Sequence, residues 1–229
     1  MTSTEYKNIL AIDTSTRCLK LALSYGADRL VKSQEEVEKS HGQLIVKKID
    51  ELFQSSGLKV DKLDAIVVCT GPGSFTGLRI GLAVAKGMAV ALSIPIAGVN
   101  LFAVAAHRLQ GVDGKVHVII PLNRDECFTA VVENGSYDEQ SLSIMAYVNL
   151  VSIVGHHRVA GIGINLSRQF IQLQQADVSS CLDYDGADLL YLGRRRLSDG
   201  SVDDLAQLEP VYVQKTQAEL RFEQRRQQP

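Results

Sequence analysis

The stretch Cys69 to Gly81, CTGPGSFTGLRIG, concentrates the groups of this chain that could hold a ligand. Gly71, Gly73, Gly77 and Gly81 alternate with the hydroxyls of Thr70, Ser74 and Thr76, and Arg79 follows. The apolar run Ala65 to Val68 leads in and LAVAKGMAVAL leads out, so a strand passes through a glycine turn into a helix. Backbone N–H groups at such a helix start face outward, and the helix dipole favours an anion there. The spacing is neither of the two common nucleotide loops. A Walker loop needs a Lys where this chain has Leu78, and one residue too many separates Gly71 from Gly77. A Rossmann loop needs a third Gly where this chain has Thr76. Pro72 also removes a backbone donor. Two readings stand at this point: an anion cradle built from Gly73, Ser74 and Thr76, or a tight strand-to-helix connection whose glycines permit close packing.

Asp13 closes the run ILAID just before Thr14, Ser15 and Thr16. An acid at a strand end can hold a metal-bound water while the following hydroxyls touch phosphate; it can equally cap the turn. Other chemistry-bearing residues are weaker. His156 and His157 are sequence neighbours, and neighbours on a strand point apart, so a loop role is expected. Ser74 resembles a nucleophile, but Gly73 directly precedes it and GxSxG is not matched. The run GRRRL at 193–197 reads as a solvated basic helix face, with nucleic-acid contact as the alternative. Cys18, Cys69, Cys127 and Cys181 form no CxxC and read as small buried hydrophobes in a reducing compartment. No catalytic constellation, metal site or resident cofactor is expected.

The chain has 229 residues, 45% apolar and 22% charged, with a net charge of −2, so no strong field marks nucleic acid as a direct ligand. Trp is absent, which leaves little material for base stacking. The most apolar stretch, Ile80 to Val99, contains Lys86 and Pro95; it reads as a buried helix and a strand, not a membrane span, and the protein is expected in the cytoplasm.

The elements that must position these residues follow from pattern. Three strands are expected in NILAIDTST, CLKLALSYG and DRLVKSQEEV, then a helix from Ser40 to about Ser55, with Ser40 and Gln43 forming a capping box. DAIVVCT, PIAGV and the helices 78–92 and LFAVAAHRL continue the first lobe. KVHVIIPL and CFTAVVENG form a hairpin around NRDE, followed by strands in IMAYVNL and RVAGIGI, helices at 166–175 and in GADLLYLGRRRL, and an extended LEPVYV. The same order occurs twice, which predicts an α/β chain of two lobes with mixed sheets: 1–108, 109–214, and a polar tail 215–229. Two helices carry excess apolar surface. Leu44, Ile45, Val46, Ile49, Leu52 and Phe53 cover an arc of about 200° on the first, wider than a single core contact needs. On the second, Arg79, Ala83, Lys86 and Val90 share one side, and the rest is almost wholly apolar. A partner interface and a deeper core both fit that pattern.

ILAIDTST, the His41-Gly42-Gln43 that follows Ser40, GPGSFTGLRIG, IPIAGVN and EPVYV come in the order found in the bacterial TsaB (YeaZ) proteins, which the chain resembles over nearly its whole length. The resemblance implies the actin-like, Hsp70-like and sugar-kinase-like fold of two ribonuclease-H-like lobes. It implies a non-catalytic scaffold in making threonylcarbamoyladenosine in tRNA, which binds the catalytic paralogue TsaD and the ATPase TsaE, meets tRNA indirectly and can also pair with itself. The implied docking residues are His41, Leu44, Ile45, Lys48 and Leu52 on the first helix and Arg79, Ala83, Lys86 and Val90 on the second. TsaD carries a His-x-x-x-His metal pair after a Val-Asn; after Val99-Asn100 this chain has Leu101 and Ala105, with His107 out of step. Pro121, Leu122 and Asn123 stand where many members have Asp-Ala-Arg, and Gln214 replaces a closing Arg. The rival reading is an ATPase or small-molecule kinase working through Asp13 and the glycine loop; a peptidase finds no nucleophile–base pair.

Overall fold

The computed structural model describes residues 6–37, 41–150, 158–164, 178–179, 182–211 and 213. Three antiparallel strands, β1 (Ile9–Asp13), β2 (Cys18–Tyr25) and β3 (Arg29–Glu36), are joined on the other side of β1 by parallel strands β4 (Ala65–Gly71) and β5 (Ile96–Asn100), giving the order β3-β2-β1-β4-β5. The second sheet repeats this plan with β6 (Lys115–Pro121) in the place of β1. Antiparallel β7 (Glu126–Glu133) lies on one side and carries both β8 (Ser136–Tyr137) and β9 (Ser143–Ala146). Parallel β10 (Arg158–Gly161) and β11 (Val178–Ser179) lie on the other. The two lobes with mixed sheets expected from the repeated element order are therefore present.

The two faces of the first sheet differ in side-chain size. Because strand side chains alternate, Leu10, Ile12, Leu21, Leu23, Ile66 and Ile96 fall on one face, under α1 (His41–Ser56) and α2 (Phe75–Leu92). Ala11, Ala22, Ala65 and Ala97 fall on the other, in a core shared with α3 (Leu101–Arg108), α4 (Gly186–Ser198) and the second sheet. On that face α4 sits very close. A Cβ at Gly193 would lie 2.2 Å from Val67 Cγ2, and one at Gly186 2.7 Å from the Leu21 carbonyl carbon. α4 thus packs on the first lobe's sheet, although a boundary at 108/109 assigns it by sequence to the second. The chain after it also returns to the first lobe: Asp203 N donates to Ile96 O (3.0 Å) and Val211 N to Thr70 O (2.8 Å).

Local differences have local causes. α2 begins at Phe75 instead of 78, because the Ser74 hydroxyl accepts from Gly77 N (3.2 Å) and caps it. IMAYVNL is a strand only to Ala146 and then makes a single turn. The basic run is not a simple solvated face. Arg194 donates to Ser24 Oγ (2.8 Å), and Arg196 clamps Asp203 (3.0 and 3.1 Å) and donates to the Gly98 carbonyl; Arg195 is the exposed member. Ser40, His156, His157, Cys181, the helix expected at 166–175, Tyr212, Gln214 and the tail 215–229 lie outside the described residues. α2 is the one described helix long and apolar enough by length and composition to cross a membrane; here it packs on α1 and the sheet.

Candidate functional site

A cavity of about 770 Å³ opens between the lobes. Ser15, Thr16 and Arg17 of the β1–β2 turn and Ser74, Phe75 and Thr76 at the α2 start line it from one side; Pro121 to Arg124 of the β6–β7 turn, with Gly163, line it from the other. It lies beyond the carboxyl ends of the parallel strands, where open α/β sheets take ligands. The glycine loop reaches this place by close packing. A Cβ at Gly73 would stand 2.2 Å from the Ser15 carbonyl oxygen, at Gly77 2.1 Å from that of Thr14, and at Gly81 2.2 Å from Thr14 Oγ1. Those glycines bring α2 against the end of β1, which is what the packing reading of the loop requires. The loop's polar groups are partly spent in doing so: Ser74 N donates to Ser15 O (2.7 Å), and its hydroxyl is the α2 cap.

Asp13 is brought beside the loop but not onto the cavity wall. It is 0% exposed; Oδ1 accepts from Ser15 N (2.8 Å) and Oδ2 from the Tyr184 hydroxyl (2.6 Å). Lys20, opposite Asp13 on β2, holds its ammonium 4.1 Å from the Tyr184 ring centre and donates to Thr16 Oγ1 (3.3 Å). Burial, and then the Asp13 charge, push the Tyr184 hydroxyl well above the ordinary phenol range, so it stays a donor. The Ser15 hydroxyl is buried beside the Tyr184 hydroxyl and the Cys69 thiol. Tyr184 was not singled out by sequence; it precedes the α4 cap Asp185 with no pattern of its own, and only the fold carries it to β1.

Leu101 and Ala105 are 0% exposed core side chains, and no group of three or more His, Cys, Asp or Glu comes together among the described residues. His107 stacks on Tyr191 (centroids 4.7 Å) and lies 3.9 Å from Asp188, tying α3 to α4. Asn123 is absorbed by its own turn, its Oδ1 accepting from Asp125 N (2.8 Å) and Glu126 N (2.9 Å).

The proposed docking residues divide. On α1, Ile45 and Leu52 face the sheet and His41 is buried, its Nε2 2.9 Å from Thr16 O, so these three belong to the intramolecular core instead of an open face; Leu44 is half-buried. Lys48 is engaged by Glu35 (2.6 Å) and Glu51 (3.0 Å). The periodic excess is therefore partly explained by α1 serving both the sheet and α2. On α2, Arg79, Ala83 and Val90 are exposed and Lys86 half-exposed; Arg79 lies over the Phe75 ring at 3.8 Å. Val46 adds an exposed apolar side chain on α1.

Two sheets of one topology around a cleft define a two-lobed α/β fold. A family model described as TsaD, tRNA N6-adenosine threonylcarbamoyltransferase, matches residues 30–148. The chain is similar to the tRNA threonylcarbamoyladenosine biosynthesis protein TsaB of Haemophilus influenzae, 35% identical over 127 residues, 54% of this chain and 53% of that protein. It is similar to the Bacillus subtilis protein of the same description, 32% identical over 125 residues and 55% of each. These matches span about half the length of the curated relatives. Among solved structures, YeaZ from Pseudomonas aeruginosa shares the fold at a TM-score of 0.73 and 24% identity, covering 90% of this chain and 99% of that one. The chain belongs to the TsaD family, and the curated relatives it resembles here are described as TsaB.

Proposed function

We propose that the chain is a non-catalytic subunit for threonylcarbamoyladenosine synthesis in tRNA, acting in the cytoplasm by docking a TsaD-like catalytic paralogue and a TsaE-like ATPase. The observation that carries this is the chemistry left at the cleft: the acid is closed under Tyr184, and the metal positions are the core side chains Leu101 and Ala105. The docking surface is the exposed side of α2, Arg79, Ala83, Lys86 and Val90, with Leu44 and Val46 of α1 beside it. An apolar helix flank left in solvent is what an interface of this kind uses. Self-pairing through the same flank would compete with the paralogue. The test is size exclusion of the purified chain mixed with its TsaD-like paralogue at micromolar concentration. Co-elution is expected, and its loss in Ala83→Glu and Val90→Asp with folding intact; separate elution of the wild-type proteins sinks the proposal.

A second reading keeps nucleotide contact without hydrolysis. It is favoured by the cleft itself, with the Ser15, Thr16, Ser74 and Thr76 hydroxyls and the Arg17 and Arg124 side chains around one cavity.

A further inference from the structure

An acid at the end of β1, in the crevice beyond parallel strands and followed by hydroxyls, has the chemistry to hold a hydrated divalent cation, which takes oxygen ligands and keeps several waters. Asp13 has that position and none of that freedom. One carboxylate oxygen is held by the Ser15 amide at 2.8 Å and the other by the Tyr184 hydroxyl at 2.6 Å, a short charge-assisted bond. Tyr184 is itself fixed from both lobes. Two residues before it, Leu182 N donates to Gly161 O of β10 at 2.7 Å. One residue after it, Asp185 caps α4 and pairs with Lys32 of β3 at 2.6 Å. The ring in between lies under the Lys20 ammonium. The hydroxyl therefore arrives at Asp13 on a segment stitched to both sheets, and it is not a side chain that happens to rest there.

We propose that Tyr184 is an internal stopper: its hydroxyl occupies the acid that a hydrated metal ion would need, so the cleft of this chain takes no metal–nucleotide complex. The proposal rests on the non-catalytic reading above and supplies its physical reason. It predicts a particular gain of function. In calorimetric titrations of the full chain with ATP, magnesium in place of EDTA changes wild-type affinity less than about twofold, whereas Tyr184→Ala, which removes the ring with the hydroxyl and lets water reach Asp13, binds at least about tenfold tighter with magnesium. Asp13→Asn removes that gain from the Tyr184→Ala background. Tyr184→Ser removes the ring likewise and stands in if Tyr184→Ala does not fold. A wild-type chain that already binds magnesium–ATP tenfold tighter than ATP alone overturns the stopper, as do folded Tyr184 variants indistinguishable from wild type. Docking is read separately, by co-elution with the paralogue, so either idea can fail without the other.

Discussion

The first sheet is closed differently on its two faces. Under α1 and α2 it presents leucines and isoleucines, α2 closes tightly only where Gly77 and Gly81 meet Thr14 at the end of β1, and the far side of α2 is left in solvent with Ala83 and Val90 exposed. Under α4 it presents alanines, and the helix sinks until its glycines touch strand atoms. Side-chain volume on the strands thus decides where a helix can carry side chains of its own. One face is a fixed joint between the lobes, through which α4 delivers Tyr184 to Asp13. The other is an apolar flank with room for something outside the chain.

The joint is the more fragile of the two. Gly193→Val places a branched side chain against Val67, which is itself stiff and held in a central strand. The expected loss is about 3 kcal/mol or more, or failure to fold, measured by urea denaturation. A loss under about 1 kcal/mol would show that α4 can move outward, and the distinction between the faces would fall with it. At the deepest polar contact of the joint, Tyr184→Phe strands an Asp13 oxygen inside the core. That change is expected to lower stability by about 1.5–3 kcal/mol, the range for hydrogen bonds to charged groups. If Asp13→Asn is introduced as well, the two losses should not add, because they remove the same bond.

The outer face gives the opposite sign. Gly87 sits on the exposed side of α2 with nothing within 4 Å of a built Cβ. Gly87→Ala should therefore raise unfolding stability by about 0.5–1 kcal/mol through helix propensity alone. The same substitution would weaken paralogue docking if the partner's backbone approaches at that glycine, which co-elution of the variant can show. A destabilised Gly87→Ala monomer would mean that α2 is covered by the chain itself and has no free flank.

Much of this architecture was legible in sequence, and the parts that were not share a cause. Period-two runs marked the strands, and the turn NRDE marked the hairpin of the second lobe, because alternation and turn chemistry are local. The packing reading of the glycine loop was available but undecided, since only the distance from Gly77 to the Thr14 carbonyl separates it from a phosphate cradle. The wide apolar arc of α1 left interface and core both open and the resemblance placed Ile45 and Leu52 at the interface, whereas α1 must cover both the sheet and α2, which a single helix pattern does not record. Tyr184 meets Asp13 across 171 positions, and no local pattern encodes such a contact. The seating of α4 did have a signal: Gly186 and Gly193, seven apart, share a helix side.

The thiols grade the same comparison with the smallest perturbation. Cys69 lies on the alanine-lined face, and burial, followed by the Asp13 charge, pushes its thiol well above the ordinary range; Cys18, half-buried at the turn, is raised by burial as well. On the second sheet burial, followed by the Glu126 charge, pushes the Cys127 thiol up to about 12 from 9.0. A thiol whose folded pKa is raised stays protonated in the fold after the unfolded chain has ionised. Its stabilising contribution is complete below pH 9.0 and is lost as pH rises from there toward about 12. Wild-type stability should therefore fall through that window, and Cys127→Ala should flatten part of the slope while lowering stability at neutral pH. Among the described thiols, timed labelling with a thiol reagent at pH 8 should modify Cys18 before Cys69 and Cys127, which react only as fast as the chain opens. Fast labelling of Cys69 in a folded chain would mean that the face under α4 breathes, and a joint that breathes could not hold Tyr184 on Asp13.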